Sequence, residues 1–96
     1  MKKPIIKAGE RGFIIYLPKS ETAELGYKYG DELFITSKGK ELIFAKTGEG
    51  KAYTIRAKDN GYVISIPPQW VREHSGLGEQ VEVSLTKEMI TVMGNK

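Results

Sequence analysis

Positive charge is concentrated in two short stretches of the sequence. Residues 1–12 hold four basic side chains against one acidic, and residues 51–61 hold three against one, whereas the remaining segments are slightly acidic. Clustered lysine and arginine side chains attract phosphate groups, and this attraction dominates the sequence-independent affinity of proteins for nucleic acid. A lysine-rich strand face is also typical of a surface that only stays solvated and resists edge-to-edge aggregation. The residues predicted to make phosphate contacts or to lie beside them are Lys7, Arg11, Arg56, Lys58 and Asn60.

Other reactive residue types do not form a recognisable catalytic or metal site. The chain has no cysteine and a single histidine, His74, so thiolate sites and pairs of histidine ligands are excluded. No serine has a histidine and a carboxylate at a spacing that implies a triad, and no phosphate loop of the GxxxxGK kind is present. Asp31 and Glu79 each follow a glycine, and turn chemistry explains both. We therefore predict no enzyme activity, no catalytic residue, no metal and no cofactor.

The sequence repeats itself. "GFIIYLP" at Gly12–Pro18 is answered by "GYVISIP" at Gly61–Pro67, 49 positions later, and the same shift places Ile6 on Ile55. Farther along, "GDELFI" answers "GEQVEV" at a shift of 48, and "KELI" at 40–43 answers "KEMI" at 87–90 at a shift of 47. Turns tolerate such length changes better than strands do. We predict one domain over residues 1–96, made of repeats at 3–46 and 52–94 joined by a linker at 47–51.

Each repeat predicts the element order ββαββ. Apolar and polar residues alternate in the first strand, at 4–8 or 53–57, and place Ile6 or Ile55 on the buried face. A polar turn leads into the second strand, whose buried side chains we expect to include Ile15, Leu17, Ile64 and Ile66. The short helices are predicted at 19–25 and 68–74, with Pro18 and Pro67 in their first turns, and the closing hairpins pair 32–36 with 41–45 and 80–85 with 89–93.

The duplication predicts how the repeats stabilise each other. A single ββαββ unit leaves strand edges exposed and has a one-sided core, so it is a poor candidate for independent folding. Two units in one chain can supply each other's missing neighbours. The expected fold is therefore mainly β with two short helices, arranged as a pseudo-twofold closed β-barrel, and a monomer rather than an obligate dimer. Trp70 is expected to anchor the core, and His74 to be packed or half-buried.

The stretch "GYVISIPPQWVREHSGLGEQVEV" resembles the DNA-binding domain of the AbrB/MazE/SpoVT type. It has a glycine-headed strand ending in Ile-Pro, a short helix, a Gly-Leu pair and an acidic turn into a strand; "GFIIYLPKSETAELGYKYGDELFI" is similar. In that family two such units interleave as a swapped-hairpin barrel, usually in a homodimer, and related cradle-loop barrels fuse both halves in one chain. The resemblance covers nearly the whole sequence and implies a regulator that binds duplex DNA.

The chain departs from that family at positions that face DNA. Repressors of this type carry arginine directly after the strand glycine, where this sequence has Phe13 and Tyr62. Arginines also recur at the fourth and fifth positions after the proline, and of the four corresponding residues here, at 22, 23, 71 and 72, only Arg72 keeps the basic character. Arg72 therefore joins the predicted DNA-binding residues.

Three kinds of function stay open from the sequence. The first is a DNA-binding transcriptional regulator. The alternatives are an antitoxin-like protein-interaction barrel, and a barrel that binds another protein or a small ligand and does not bind DNA. Only three residues follow the last predicted strand, which disfavours the version of an antitoxin that uses a long tail. No run of eighteen apolar residues is present, and no apolar stretch follows Lys2 and Lys3. We therefore expect no membrane partner and no secretory signal, and a cytoplasmic location.

Overall fold

The structure, a computed structural model, describes residues 1–9, 12–58, 61–75 and 79–95, with the backbone alone for 57 and 58. These residues form two antiparallel sheets and two short helices, which confirms the expected mainly β fold. The first half contains β1 (Lys2–Pro4), β2 (Ile6–Ala8), β3 (Gly12–Pro18), α1 (Lys19–Glu24), β4 (Glu32–Lys38) and β5 (Glu41–Ala45). The second half contains β6 (Ala52–Thr54), β7 (Arg56–Lys58), β8 (Gly61–Ile66), α2 (Pro68–His74), β9 (Gln80–Leu85) and β10 (Met89–Met93).

Both predicted helices are present, with one change at their N-termini. Pro18 and Pro67 each lie at the N-cap, immediately before the helix, and Pro68 takes the first helical position of α2. Helix α1 ends as the sequence predicts, because Gly26 has a φ of 89°. The N–H of Gly26 donates to the carbonyl of Ala23, and the N–H of Tyr27 donates to the carbonyl of Thr22, which together satisfy two free carbonyls at the helix end.

The two halves interleave in both sheets. The six-stranded sheet has the order β1-β9-β10-β5-β4-β6, so β1 pairs with a hairpin of the second half and β6 with a hairpin of the first. The four-stranded sheet has the order β2-β3-β8-β7, in which one hairpin from each half meets along β3 and β8. If every strand is replaced by its counterpart in the other half, each sheet has the same strand order read from the opposite end. Each half therefore supplies the strand neighbours that the other lacks.

Close packing of neighbouring strands in the four-stranded sheet explains the repeated glycine of the two hairpins. Ile15 lies directly opposite Ile64 at the middle of the β3–β8 ladder, and both are fully buried. A Cβ atom at Gly61 would lie 2.9 Å from the carbonyl oxygen of Leu17, and one at Gly12 would lie 2.8 Å from that of Ala8. Larger residues would push the neighbouring strand away, so both positions need glycine for close packing.

The expected closed barrel is not found among the residues that the structure describes, where the ladders form two open sheets. The predicted first strand of each repeat is divided into two, and the chain crosses from the six-stranded to the four-stranded sheet at Ile5 and at Ile55. At these corners the N–H of Ile5 donates to the carbonyl of Glu79, and that of Ile55 to the carbonyl of Asp31. Each of these two segments thus contributes one short strand to each sheet, and its two strands pair with different partners.

The prediction that Ile6 faces the core is wrong. Ile5 is 1% exposed and Ile6 is 37% exposed, whereas Ile55 is buried as predicted. Three residues connect β2 to β3 but only two connect β7 to β8, so the halves correspond at a shift of 50 before this turn and 49 after it. The structural counterpart of Ile55 is therefore Ile5. A one-residue slip moves a whole strand to its other face.

A similar slip affects the closing hairpins, whose existence and pairing are confirmed. The match of "KELI" with "KEMI" sets Ile43 against Ile90, but in the β5–β10 ladder Ile43 lies opposite Thr91 and is half-buried. The buried counterpart of Ile90 is Leu42, at a shift of 48. The shared lysine and glutamate of these turns are a chance identity rather than a structural match.

One apolar core lies between the two sheets and under the helices. The predicted core residues Ile15, Leu17, Ile64 and Ile66 are all buried, which confirms the strand phase of β3 and β8. Both sheets contribute to the same cluster, together with two residues of α2. Within the described ranges, no helix is long and apolar enough to cross a membrane.

Candidate nucleic-acid interface

Charge is divided unequally between the two sheets. The strands of the four-stranded sheet contain three basic residues and no acidic one, while those of the six-stranded sheet contain three basic and three acidic residues. The basic residues of the four-stranded sheet are Lys7, Arg56 and Lys58. All three lie in β2 and β7, which are the two edge strands of that sheet. The sheet thus presents positive charge at both edges.

The two edges are separated by the two central strands. Neighbouring strands lie about 4.8 Å apart, so β2 and β7 are about 14 Å from each other. Lys7 and Arg56 are both exposed. A guanidinium nitrogen of Arg56 donates to the hydroxyl of Ser65 at 3.1 Å, which holds the side chain against the sheet and leaves further N–H donors available. Lys58 lies two residues farther along β7, opposite Gly61.

The register places Lys7 and Arg56 on opposite faces of the sheet. Lys7 lies opposite Phe13, and Phe13 in turn lies opposite Ile66, whereas Arg56 lies opposite Val63. Ile66 and Val63 are three residues apart in β8, so they point to opposite faces. The counterpart of Arg56 in the first half is the exposed Ile6. The predicted residues therefore share one sheet but do not form a twofold-symmetric patch on one face.

The other predicted DNA-binding residues lie outside the strands of the four-stranded sheet, and two of them lie outside the described residues. Arg11 and Asn60 fall in the two hairpin turns, outside the described residues. Arg72 is exposed in the last turn of α2, beside the buried Val71. The helix position that corresponds to Val71 is Thr22, which is also buried. Burial at both sites accounts for their lack of charge.

The aromatic residues that follow the two strand glycines have a structural role. Phe13 and Tyr62, each directly after its strand glycine, are half-buried and pack against the core. A charged side chain in either place would lose that apolar contact and would require a partner for its charge. These two positions therefore belong to the interior face of the sheet in this protein.

Asp31 and the lone histidine behave as the sequence indicates. The N–H of Lys28 donates to the carboxylate of Asp31 at 2.9 Å, and the N–H of Asp31 donates to the carbonyl of Lys28, so Asp31 closes the turn at 28–31. Trp70 is 4% exposed and belongs to the core, and His74 is half-buried with its ring 5.7 Å from the indole. No group of three histidine or acidic side chains that could hold a metal is found in the described part of the chain.

Sequence reasoning missed a cavity beside α2. The cavity has a volume of about 360 Å³ and lies between this helix and the β4–β5 hairpin. Its walls include Ile35, Leu42 and Trp70, with Ser37 and Glu73 among its polar residues. The indole N–H of Trp70 is buried and has no hydrogen-bond partner among the residues described. The spacing of Trp70 and His74 on one helix face was the only sequence signal, and it is equally typical of a filled core.

Tyr27 is buried just after helix α1. This side chain is 1% exposed, and its hydroxyl donates to the carbonyl of Thr86 at 2.7 Å. The ammonium of Lys46 lies 4.4 Å from the centre of the Tyr27 ring and donates to the carbonyl of Leu25. Burial raises the pKa of Tyr27 to about 12.

Comparison of the chain with protein-family models, with curated proteins and with solved structures found no match, so the resemblance to AbrB-type domains stays a prediction from the motifs.

Proposed function

We propose that the protein binds duplex DNA through the four-stranded sheet and acts as a transcriptional regulator. The observation that carries this proposal is the charge difference between the sheets: the four-stranded sheet has a net charge of +3 in its strands and the six-stranded sheet has none. Basic side chains attract phosphates whatever the base sequence, and here Lys7 and Arg56 do so from opposite edges and opposite faces of the sheet. The motif resemblance supports the same function and, with it, a cytoplasmic location.

Arg56 is the strongest candidate for a fixed phosphate contact. Its hydrogen bond to Ser65 orders the guanidinium before DNA arrives, so less side-chain freedom is lost on binding. Lys7 provides a charge at the opposite edge, and Lys58 is a further candidate, two residues along β7. Reading of bases is left to Asn60 and Arg72, because amide and guanidinium groups can make paired hydrogen bonds to base edges.

We also propose that the two halves are copies of one ββαββ unit related by a pseudo-twofold axis. The symmetric strand orders support this, as does the pairing of Ile15 with Ile64 at the centre of the β3–β8 ladder. For DNA binding the consequence is that β2 and β7 are equivalent edges. The difference between Ile6 and Arg56 at matching positions makes the second edge more basic on one face.

A salt titration with a matched control tests the DNA proposal. The test variant replaces Lys7, Arg56 and Lys58 with glutamine, and the control replaces Lys38, Lys40 and Lys87, exposed residues at the hairpins of the six-stranded sheet. Both variants lose the same charge. Affinity for a fluorescent random duplex is measured by anisotropy across salt concentrations. Each lost phosphate contact lowers the slope of log affinity against log salt by about 0.9, so the test variant should lose up to about 2.7.

The control separates a located interface from general attraction. It should keep most of the slope of the unaltered protein, because its lysines lie outside the four-stranded sheet. Equal losses in both variants would show that only net charge matters. Absence of binding by the unaltered protein at low salt would refute the DNA proposal.

The second candidate function, binding of a protein partner, is favoured by the outer face of the six-stranded sheet. Its two central strands carry largely apolar residues where a solvated antiparallel sheet normally carries polar ones. These residues are half-buried rather than enclosed, and they include Ile43, Ala45, Met89 and Met93. Replacing Ile43 and Met89 with lysine should abolish binding of a protein partner and leave DNA affinity unreduced.

A further inference from the structure

The cavity beside α2 has the size and walls of a small-molecule site. Its volume of about 360 Å³ lies at the lower end of the range of about 300–1,000 Å³ that is usual for such sites. Ile35 of β4, Leu42 of β5 and Trp70 of α2 form the apolar part of its wall. A second cavity of about 260 Å³ adjoins it and shares Ile35 as a lining residue. A ligand here must be small.

The residues at the corresponding place beside α1 are different. By the strand and helix correspondences described above, Ser37 matches Leu85, and His74 matches Leu25. Both leucines pack against the core, and Tyr27 is buried beside them. A small hydroxyl side chain and an imidazole thus stand at the α2 end, where the α1 end has bulky aliphatic groups. The cavity follows from the residues chosen at these positions.

The polar lining determines the charge of a suitable ligand. Of the cavity-lining side chains that the structure describes, Glu73 is the only one of the Asp, Glu, Lys or Arg type. The rings of Trp70 and His74 border the same space, and the electron-rich face of an indole attracts a cation within about 6 Å. The hydroxyl of Ser37 can accept a hydrogen bond from an N–H group. A carboxylate ligand would be repelled by Glu73, whereas an ammonium group would be attracted.

We propose that this cavity binds a small organic ammonium ion, with its apolar body on Ile35, Leu42 and Trp70 and its charged nitrogen facing Glu73. The site is separate from the basic edges at β2 and β7, and its test requires no DNA. Binding energy comes from burial of the apolar body, and selection of the charge comes from Glu73 and the aromatic rings.

Three probes of the same shape test the charge preference: 2-phenylethylamine, the neutral 2-phenylethanol and the anion phenylacetate. Trp70 is the only tryptophan, so its indole N–H gives a single nitrogen–proton resonance that reports on the cavity wall. Titration of this resonance should give an affinity for the amine about tenfold above that for the alcohol, with phenylacetate weaker still. Equal affinities of the three probes, or no change of the resonance at millimolar amine, would overturn the proposal.

Variants locate the charge and the space. Glu73→Gln should reduce the preference for amine over alcohol to about twofold, while Glu24→Gln, the exposed counterpart in α1, should leave it unchanged. Ser37→Leu copies Leu85 and should narrow the cavity, so that the Trp70 resonance responds more weakly to the amine. Both glutamates are exposed, so these two variants are expected to fold even if Ser37→Leu does not. An unchanged preference in Glu73→Gln would place the ligand elsewhere.

Discussion

The α1 end and the α2 end of the molecule are built from matching elements but are filled differently. At α1, Tyr27 closes the space under the helix with a hydrogen bond to Thr86, and Leu25 packs against the core. At α2, Trp70 is buried but the space beside it stays open as a cavity lined by Ser37. Backbone pairing alone therefore does not decide whether a helix end is packed solid. The volume and polarity of two or three side chains decide it.

The largest effect is expected from separating the two halves. A chain ending at Gly48 keeps β4 and β5 but loses β6, β8 and β10, with which β4, β3 and β5 pair. It should be unfolded as a monomer, or should dimerise to restore those pairings. Circular dichroism with analytical ultracentrifugation measures both outcomes. A stable folded monomer would show that one half folds by itself and does not depend on strands of the other.

The next largest effect is expected at the corner of the first half. Ile5→Ala should lower the free energy of unfolding by about 2–5 kcal/mol, because a fully buried side chain is truncated. Ile6→Ala should cost less than about 0.5–1 kcal/mol, because this side chain is exposed. Chemical denaturation of both variants, with Ile55→Ala as the matching change in the second half, measures the difference. A larger loss of stability in Ile6→Ala than in Ile5→Ala would contradict this register of β2.

A smaller effect is expected at the α1 end in alkaline solution. The pKa of Tyr27 is raised from 10.0 to about 12, so the folded protein holds this proton more tightly than the unfolded chain does. The stabilisation is complete below about pH 10 and should be lost as the pH rises toward 12, by about 1–2 kcal/mol after allowance for solvent screening.

Tyr27→Phe is the control for that pH dependence. This variant should lose about 1 kcal/mol at neutral pH through the missing hydrogen bond to Thr86, and its stability should fall less steeply between pH 10 and 12. Denaturant midpoints of the two proteins across this pH range measure the difference. Parallel curves for both would mean that other groups cause the alkaline loss and that the Tyr27 hydroxyl is not specially protected.

Local sequence signals predicted the strands and helices better than they predicted which residues of the two halves correspond. The glycine-headed strands, the helix after each proline and the closing hairpins follow from alternation and turn residues over a few positions, and these were confirmed. The match of Ile6 with Ile55 failed because one extra residue in the first hairpin turn shifts the register, and both neighbouring isoleucines fit an alternating pattern. Identity of sequence letters cannot show which of two adjacent isoleucines is buried.

The candidate site was predicted in composition but not in arrangement. The excess of basic residues in the two hairpins can be counted in the sequence, and the four-stranded sheet gathers Lys7, Arg56 and Lys58 into two edge strands. The opposite faces of Lys7 and Arg56 depend on strand register, which is set by pairing between distant segments. The cavity beside α2 depends on Trp70, Ser37 and Leu42, which come from three elements and share no sequence pattern.

The sequence by itself determined the mainly β class, the two short helices, the central pairs of buried residues in β3 and β8, and the location of the basic charge. These features depend on alternation, glycine and proline geometry and composition, all of which act over a few residues. Only the tertiary structure decided that the chain turns between sheets at Ile5 and Ile55, that the sheets stay open, and that one helix end is filled by Tyr27 while the other keeps a cavity. Those features arise where segments far apart in the chain compete for the same hydrogen bonds and the same volume, and no local pattern records the outcome.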